Sequence, residues 1–254
     1  MLTALLWGLV QGLTEFLPIS SSGHLVLVPA LLGIPAPDLA TSAVLHLGTL
    51  AAVLTYYRKD LAALLRFRTD PDARHLLLLL VLGTIPAAVA GLTLEGPLEV
   101  LFVAPRSVAL ALIGTGVILL VAALLPKGRR RASQARPWEA LLVGLAQAVA
   151  LVPGISRSGT TIAAGLARRL EGPEAARFSF LLAIPAISGA GLLEGLEMGG
   201  QGELSGTVWV GMLTAAVAGY AGIALLLRAL VRFGLLPFAV YCLLAGTAAF
   251  LLVD

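Results

Sequence analysis

Two related stretches of this sequence decide the fold: "GLVQGLTEFLPISSSG" at residues 8–23 and "GLAQAVALVPGISRSG" at residues 144–159. They lie at a constant offset of 136 residues, share seven of sixteen positions, and both contain the pattern Ile-Ser-x-Ser-Gly. In each, proline, glycine and serine interrupt an otherwise apolar region. Because these residue types disfavour a helix interior, each stretch is predicted to break a helix rather than to continue one.

The composition is that of a helical integral membrane protein. Of the 254 residues, 59% are hydrophobic and 12% are charged, whereas an ordinary soluble domain has about 25% charged residues. The apolar segments are long and continuous, unlike the alternating strands of about ten residues in a membrane barrel. The net charge of +3 is small and lies in loops, so nucleic acid is not expected as a partner.

Six apolar segments are long enough to cross a hydrocarbon core of ~30 Å as helices. They lie at about 39–57, 75–94, 106–125, 174–193, 207–228 and 235–253. The segments 1–34 and 138–169 are also apolar, but the two breaks leave halves that are too short to span. Each is therefore predicted to enter and leave by the same face as a re-entrant helix–loop–helix, surrounded by protein or by a water-filled cavity.

The basic residues indicate the orientation. If residues 58–74 are cytoplasmic, all of the 17 Lys and Arg residues except Arg106 and Arg157 fall on the cytoplasmic side. This holds only when both broken segments re-enter. The prediction is a multi-pass membrane protein with both termini outside. We expect an outer loop over residues 191–202.

The two broken segments would then enter from opposite faces, which makes an inverted-topology repeat. The first repeat covers about residues 1–125 and the second about 137–254, together forming one membrane domain over 1–254. Transporter folds with this symmetry place their site at the repeat interface, near the membrane midplane, on discontinuous helices. The inverted repeat of this all-α fold therefore predicts that the polar residues of the two breaks meet at the repeat interface.

The two breaks offer the donors of an anion site. Each is followed by a helix that starts near residues 20–22 or 156–158, where free backbone N–H groups and the helix dipole favour an anion. Serine hydroxyls add donors, and Arg157 adds a permanently charged fork that matches phosphate. These features predict a phosphate or carboxylate site.

The first segment adds acid and base groups to this site. Gln11 and Glu15 are four residues apart and share a helix face, as do Ser21 and His24, which are three apart. Ionisable residues inside a membrane are rare and cost about 2.5–3.5 kcal/mol on translocon scales. A purely structural ion pair between Glu15 and Arg157 is the alternative to a functional site.

Single polar residues have structural alternatives as well. Serine and threonine in membrane helices usually bond to their own helix or pack against another. Gln11 by itself could join two helices, and His24 by itself could be a buried polar residue with satisfied hydrogen bonds. His46, inside a predicted span, stays open as a residue of the cavity.

At these residues the chain resembles the undecaprenyl-diphosphate phosphatases of bacteria. The first motif of that family is Glu or Gln, three further residues, then Glu, running into Ser-Ser-x-Gly-His. It reads "QGLTEFLPISSSGH" at residues 11–24. The second reads "PGISRSGTT" at 153–161, with supporting matches "LHLGTLAAV" at 45–53 and "FSFLLAIPA" at 178–186. The resemblance covers nearly the whole chain, and the two motifs together are highly specific.

The resemblance implies hydrolysis of undecaprenyl diphosphate to undecaprenyl phosphate, which recycles the lipid carrier of peptidoglycan synthesis and confers bacitracin resistance. It also implies a bacterial inner-membrane location, a site that opens to the outer, periplasmic face, and a divalent cation, Mg²⁺ or Ca²⁺. The implied site comprises catalytic residues (Ser21, His24, Glu15 and Arg157), phosphate-binding residues (Ser156, Arg157, Ser158, Thr161 and Ser22) and metal ligands (Glu15 and Gln11). Gln at position 11 leaves only one carboxylate for the metal.

Three questions stay open at this point. Either Ser21 attacks phosphorus with His24 as its general base, which we favour, or His24 attacks and Ser21 positions the substrate. Inverted repeats are also a transporter design, so the alternative function is a prenyl-phosphate flippase or a small-anion transporter. Lipid surrounds the protein in either case, and whether it forms a homodimer is open.

Overall fold

The computed structural model describes residues 1–102, 104–197 and 206–253, and its regular structure in these ranges is helical. The described ranges contain eleven α-helices and one 3₁₀ turn at Ala132–Gln134. The helices are α1 (Leu2–Phe16), α2 (Ser21–Leu32), α3 (Leu39–Tyr56), α4 (Arg58–Leu64), α5 (Pro71–Phe102), α6 (Pro105–Ala123), α7 (Pro137–Val149), α8 (Arg157–Ala167), α9 (Gly172–Glu197), α10 (Gly206–Phe233) and α11 (Leu236–Leu252). The predicted all-α class is confirmed.

Several helices are suited to a membrane. Among the described residues, three segments are long and apolar enough to cross one, namely Pro71–Leu94, Pro105–Ala123 and Gly206–Phe233. A fourth is added if α3 and α4, which meet at an angle of 72°, form one broken span. Large apolar side chains face outward from these helices; Val217, for example, is 74% exposed. A surface of this kind suits lipid, and the chain is a multi-pass membrane protein.

One predicted loop is partly wrong. The stretch at 191–202 was expected to be an outer loop, but α9 continues through Glu197. The leucines and glutamates of "GLLEGLE" are strong helix formers, and they outweigh the glycines between them. Residues 198–202 lie outside the described residues.

Both sequence breaks are breaks in helical structure, and the helix that follows each begins in the same way. The hydroxyl of Ser20 accepts the Gly23 N–H at 3.2 Å, and the hydroxyl of Ser156 accepts the Gly159 N–H at 3.1 Å. In each copy the capping serine also lies 3.3 Å, hydroxyl to hydroxyl, from the serine two residues on. The Ser-x-Ser-Gly repeat therefore encodes one N-capping structure that is used twice.

The second broken segment begins and ends at the same place. Glu139, in the first turn of α7, is 2% exposed and accepts two hydrogen bonds from the Arg130 guanidinium, at 3.0 and 2.9 Å. Arg168, just after α8, donates to the same carboxylate at 3.1 Å. Since these residues lie at the two ends of the α7–break–α8 segment, those ends are in contact.

Each broken segment packs against a helix from the other half of the chain. Helix α1 lies along α10, and α7 lies along α5. Glycines permit the close approach: a Cβ on Gly12 would lie 2.6 Å from both the Ala215 carbonyl oxygen and the Ala218 Cβ. On the other side, a Cβ on Gly144 would lie 3.0 Å from Pro86. Small residues at such contacts are typical of helix packing in membranes.

The first prediction concerns this close contact. We expect Gly12→Ala to lower the free energy of unfolding by about 1–3 kcal/mol, because the added methyl overpacks the contact with α10. Gly189→Ala on α9 is the matched control, since a Cβ there meets nothing within 4 Å. Thermal unfolding in detergent would measure both. Equal stability of the two variants would contradict the proposed close contact.

The second prediction concerns the Glu139 cluster. Hydrogen bonds from Arg130 lower the pKa of Glu139 from 4.5 to about 2. Because the unfolded chain binds this proton more readily, the stabilisation is complete above pH 4.5 and is lost as the pH falls toward 2. We expect Glu139→Gln to melt at a lower temperature than wild type at about pH 6, and its melting temperature to decline less steeply than that of wild type from about pH 5 to about pH 3. If the melting temperatures of wild type and Glu139→Gln fell in parallel with pH, ionised Glu139 would not be the source of this stabilisation.

Candidate active site

The two broken segments meet at an ion pair. The Arg157 guanidinium, at the start of α8, donates through Nη2 to Oε1 of Glu15 at 2.5 Å. Glu15 lies in the last turn of α1, and the two side chains are only 7% and 16% exposed. The sequence analysis predicted that the two breaks would share a site, and this contact brings their charged residues together.

The other oxygen of Glu15 holds the polar side chains of its own segment. Ser21 donates its hydroxyl to Glu15 Oε2 at 2.5 Å, and the Gln11 amide donates to the same oxygen at 3.0 Å. A hydrogen bond to an ionised acceptor is shorter and stronger than a neutral one. The Ser21 hydroxyl is thereby aligned with a group that can accept its proton, while Arg157 is held on the far side of the same carboxylate.

His24 is not paired with Ser21 among the hydrogen bonds of the described residues. Its Nδ1 lies 2.8 Å from the Ser20 carbonyl oxygen, and its Nε2 lies 2.7 Å from the hydroxyl of Tyr241 on α11. The sequence analysis did not include Tyr241, which is 217 residues away and belongs to an apolar helix. A single tyrosine in such a helix carries no sequence signal that would link it to His24.

His46 belongs to the site. Helix α3 brings its Nε2 to 3.9 Å from Glu15 Oε2, and its side chain is 31% exposed. Its Nδ1 lies 2.8 Å from the carbonyl oxygen of Ser42, one turn earlier. The sequence analysis had left this histidine open. Its position inside a predicted span was the only signal available.

Three predicted phosphate-binding residues are buried in the second break. Ser156, Ser158 and Thr161 are each 1% exposed. Ser156 caps α8, Ser158 donates to the Leu17 carbonyl in the first break at 3.1 Å, and the Thr161 hydroxyl lies 2.6 Å from that of Ser179 on α9. Ser158 thus joins the two breaks, Ser156 fixes the start of α8, and Thr161 ties α8 to α9.

Ser22 is also a predicted phosphate-binding residue, and it is partly buried. Its hydroxyl accepts a long hydrogen bond of 3.5 Å from the Gly154 N–H in the second break. It also lies 3.3 Å from the hydroxyl of Ser20. Like Ser158, it connects the first break with the second.

Two buried polar atoms at the ion pair have no hydrogen-bond partner among the described residues. They are Oε1 of Gln11 and Nη1 of Arg157. An unmet buried donor or acceptor costs about 1–3 kcal/mol, so such atoms are favourable contacts for a ligand. Arg157 can therefore hold Glu15 with one nitrogen and a further anion with the other.

The oxygen atoms present fit a hard divalent cation that keeps most of its own water. Gln11 Oε1 and the Glu15 carboxylate are such ligands, and Mg²⁺ commonly binds one or two protein oxygens together with substrate phosphates. No group of three His, Cys, Asp or Glu residues that could enclose a metal exists within residues 1–102, 104–197 and 206–253. An enclosed structural metal site is thus not indicated in that part of the chain.

The fold and site define a class: a helical multi-pass membrane protein whose two broken segments join an acid, a hydroxyl and a guanidinium. The family comparison agrees with this class. The model of the bacitracin resistance protein BacA family matches residues 4–248, and the chain belongs to that family.

Curated relatives cover the same length. The undecaprenyl-diphosphatase of Geobacter sulfurreducens is 46% identical over 95% of this chain and 94% of its own. Those of Alcanivorax borkumensis and Thermomicrobium roseum are 44% and 42% identical, and each alignment covers at least 96% of both chains. The resemblance predicted from the two motifs is therefore confirmed.

The third prediction concerns the buried ion pair. Glu15→Gln and Arg157→Met should each destabilise the protein by about 3–5 kcal/mol, because each leaves one buried charge without its partner. The double variant should lose much less free energy of unfolding than the sum of the losses in the two single variants. The more exposed pair of Arg177 and Asp60, 2.6 Å apart, is the control, and its coupling should be below about 1 kcal/mol.

Unfolding free energies from a double-mutant cycle in mixed micelles would measure both couplings. Additive effects of the Glu15 and Arg157 substitutions would contradict a direct buried ion pair.

Proposed function

We propose that this chain hydrolyses undecaprenyl diphosphate to undecaprenyl phosphate and inorganic phosphate. It thereby recycles the lipid carrier of peptidoglycan synthesis and contributes to bacitracin resistance. The observation that carries the proposal is the Glu15 carboxylate, which binds Arg157 through one oxygen and the Ser21 hydroxyl through the other. This arrangement joins a nucleophile, a base and a guanidinium that can bind phosphate. The names of the relatives support the substrate.

The proposed topology is one membrane domain with six spans, α3, α5, α6, α9, α10 and α11, and two re-entrant segments, α1–α2 and α7–α8. The two halves form an inverted repeat. The ion pair between Glu139 and Arg168 supports re-entry of the second segment, since it joins the segment's two ends. The identical serine caps and the packing of each segment on the opposite half support the repeat.

The orientation in the bacterial inner membrane follows from the charges. All Lys and Arg residues except Arg106 and Arg157 fall on one side, which we assign to the cytoplasm. The site then opens to the outer face, and both termini lie outside. The diphosphate enters the site from that face while the prenyl chain remains among the lipid tails.

Arg157 binds the terminal phosphate of the substrate. Its Nη1 has no partner among the described residues, and its fixed charge suits a phosphate oxygen. The first backbone amides of α8, which lack intrahelical acceptors, add donors at the positive end of the helix. Ser156, Ser158 and Thr161 act here through the shape of the break that presents Arg157.

Ser21 is the nucleophile of the proposed reaction, and Glu15 is its base. The Ser21 oxygen attacks the terminal phosphorus, its proton passes to Glu15 Oε2, and the bond from that phosphorus to the bridging oxygen breaks. Undecaprenyl phosphate leaves with the bridging oxygen. Water then attacks the phosphoserine, the bond to the Ser21 oxygen breaks, and inorganic phosphate is released as Ser21 regains a proton.

The base in this proposal differs from the one favoured by the sequence alone. The sequence favoured His24, but the Ser21 hydroxyl already donates to Glu15, whereas both nitrogens of His24 have other partners. The alternative in which His24 attacks phosphorus requires Nε2 to leave Tyr241. The hydrogen bonds of the described residues therefore favour Ser21.

Gln11 and Glu15 are the residues proposed to hold Mg²⁺ or Ca²⁺. When bound, the cation neutralises the charge of the diphosphate and of the departing phosphate. Gln11 contributes its unpartnered Oε1, and Glu15 contributes the carboxylate that it shares with Ser21 and Arg157. The transporter alternative is not favoured, because the relatives matched over nearly the full chain are named as diphosphatases.

The fourth prediction tests the proposed chemistry. Ser21→Ala and Arg157→Ala should each lower kcat for phosphate release by about 10²–10³-fold or more, as expected when a nucleophile or a charged transition-state contact is removed. Phosphate release from purified lipid diphosphate in detergent with Mg²⁺ is the measurement. Ser188→Ala, at an exposed serine of α9, is the control and should keep wild-type activity.

The linkage of a trapped phosphoenzyme distinguishes the two nucleophiles. An acid-stable phosphoserine supports Ser21, whereas an acid-labile phosphohistidine would reject it in favour of His24. Absence of phosphate release by the wild-type protein with cation present would reject the proposed hydrolysis itself.

A further inference from the structure

Both ring nitrogens of His24 have a hydrogen-bond partner, and the nature of the partners determines the tautomer. The partner of Nδ1, at 2.8 Å, is the Ser20 carbonyl oxygen, which can only accept. Nδ1 therefore carries the proton. In the neutral ring Nε2 is then an acceptor, and the Tyr241 hydroxyl at 2.7 Å must donate to it. His24 is thus held with its lone pair at Nε2.

The carbonyl that fixes Nδ1 comes from an unusual backbone. Ser20 has φ of 69°, in the left-handed region that residues with a Cβ seldom adopt. Its carbonyl oxygen accepts the His24 backbone N–H at 3.1 Å as well as the ring Nδ1. The break is therefore built so that one carbonyl orients both the backbone and the imidazole of His24.

Tyr241 reaches His24 from the last described helix of the chain. The two rings stack, with centroids 5.8 Å apart and planes within 10° of parallel. The neighbouring Cys242 is fully buried and lies 3.6 Å, through Sγ, from the carbonyl oxygen of Pro18 in the first break. These contacts fix α11 against the break, so Tyr241 has a defined position beside Nε2 of the His24 ring.

We propose that Tyr241 is a positioning residue for His24. Its hydroxyl donates to the Nε2 lone pair and holds the imidazole in one orientation and in the Nδ1–H tautomer. This inference rests on the proposed function in so far as the fixed His24 ring supports phosphate release. In the proposed reaction Ser21 is the nucleophile and Glu15 its base, so the fixed ring acts by keeping the first break, and with it Ser21, in place. A role of His24 itself as base or nucleophile would require Nε2 to leave Tyr241.

The kinetic test uses the full-length protein in lipid nanodiscs with undecaprenyl diphosphate. Tyr241→Phe keeps the stacked ring and removes only the hydroxyl, so kcat should fall by about tenfold, the equivalent of one hydrogen bond, while KM changes by less than about twofold. Tyr220→Phe on α10 is the matched control, since Tyr220 is 43% exposed against 42% for Tyr241. It should behave as wild type.

The second measurement is independent of activity. The chain has three histidines, so their ¹⁵N signals can be assigned by substituting each in turn. Solid-state NMR of ¹⁵N-histidine protein in bilayers should show His24 as a single Nδ1–H tautomer in wild type. In Tyr241→Phe the Nε2 resonance should shift and a second tautomer should appear, while the signals of His46 and His75 should stay in place.

The two measurements separate the failure of this inference from failure of the proposed function. An unchanged His24 spectrum in Tyr241→Phe, or kinetics equal to those of Tyr220→Phe, would overturn the positioning role. If the wild-type protein releases no phosphate but the His24 signals change as expected, the hydrolytic function fails while the control of the His24 tautomer by Tyr241 stands.

Discussion

The structure depends on the ion pair between Glu15 and Arg157. These residues are 142 positions apart, and each lies beside a break in an apolar helix where a lone charge would be strongly disfavoured. Pairing satisfies both charges only if the two broken segments meet at the same depth. The ion pair therefore selects a fold in which the two halves of the chain bring their breaks together, and the residues around it become the polar centre of an apolar protein.

The surrounding contacts explain how irregular backbone survives there. The Ser158 hydroxyl donates to the Leu17 carbonyl across the junction, while the Thr115 hydroxyl on α6 donates to the Gly154 carbonyl and accepts from the Ser156 N–H. Backbone groups that lose their helical partners thus find side chains from elsewhere in the chain. Because α1 packs on α10 and α7 on α5, neither half can form this environment without the other.

Much of the site could be predicted from local spacing. Gln11 and Glu15 share a helix face because they are one turn apart. The scarcity of charge in the membrane singled out Glu15 and Arg157, with an ion pair between them as the structural alternative to a functional site. The role of Ser156 and Ser158 was less accessible, since a serine near a helix start either caps the backbone or binds a ligand, and the spacing is the same for both. Their burial and their partners distinguish the two.

The sequence by itself determined the helical membrane class, the two breaks and the residues that they contain, because apolar length and helix-breaking residues act locally. It also determined the family, through two motifs that each lie within a single segment. Only the tertiary structure decided which side chain accepts the Ser21 hydroxyl, that His46 on α3 lies beside Glu15, and that Tyr241 on α11 holds His24. These contacts join helices far apart in the chain, and their geometry depends on how those helices pack.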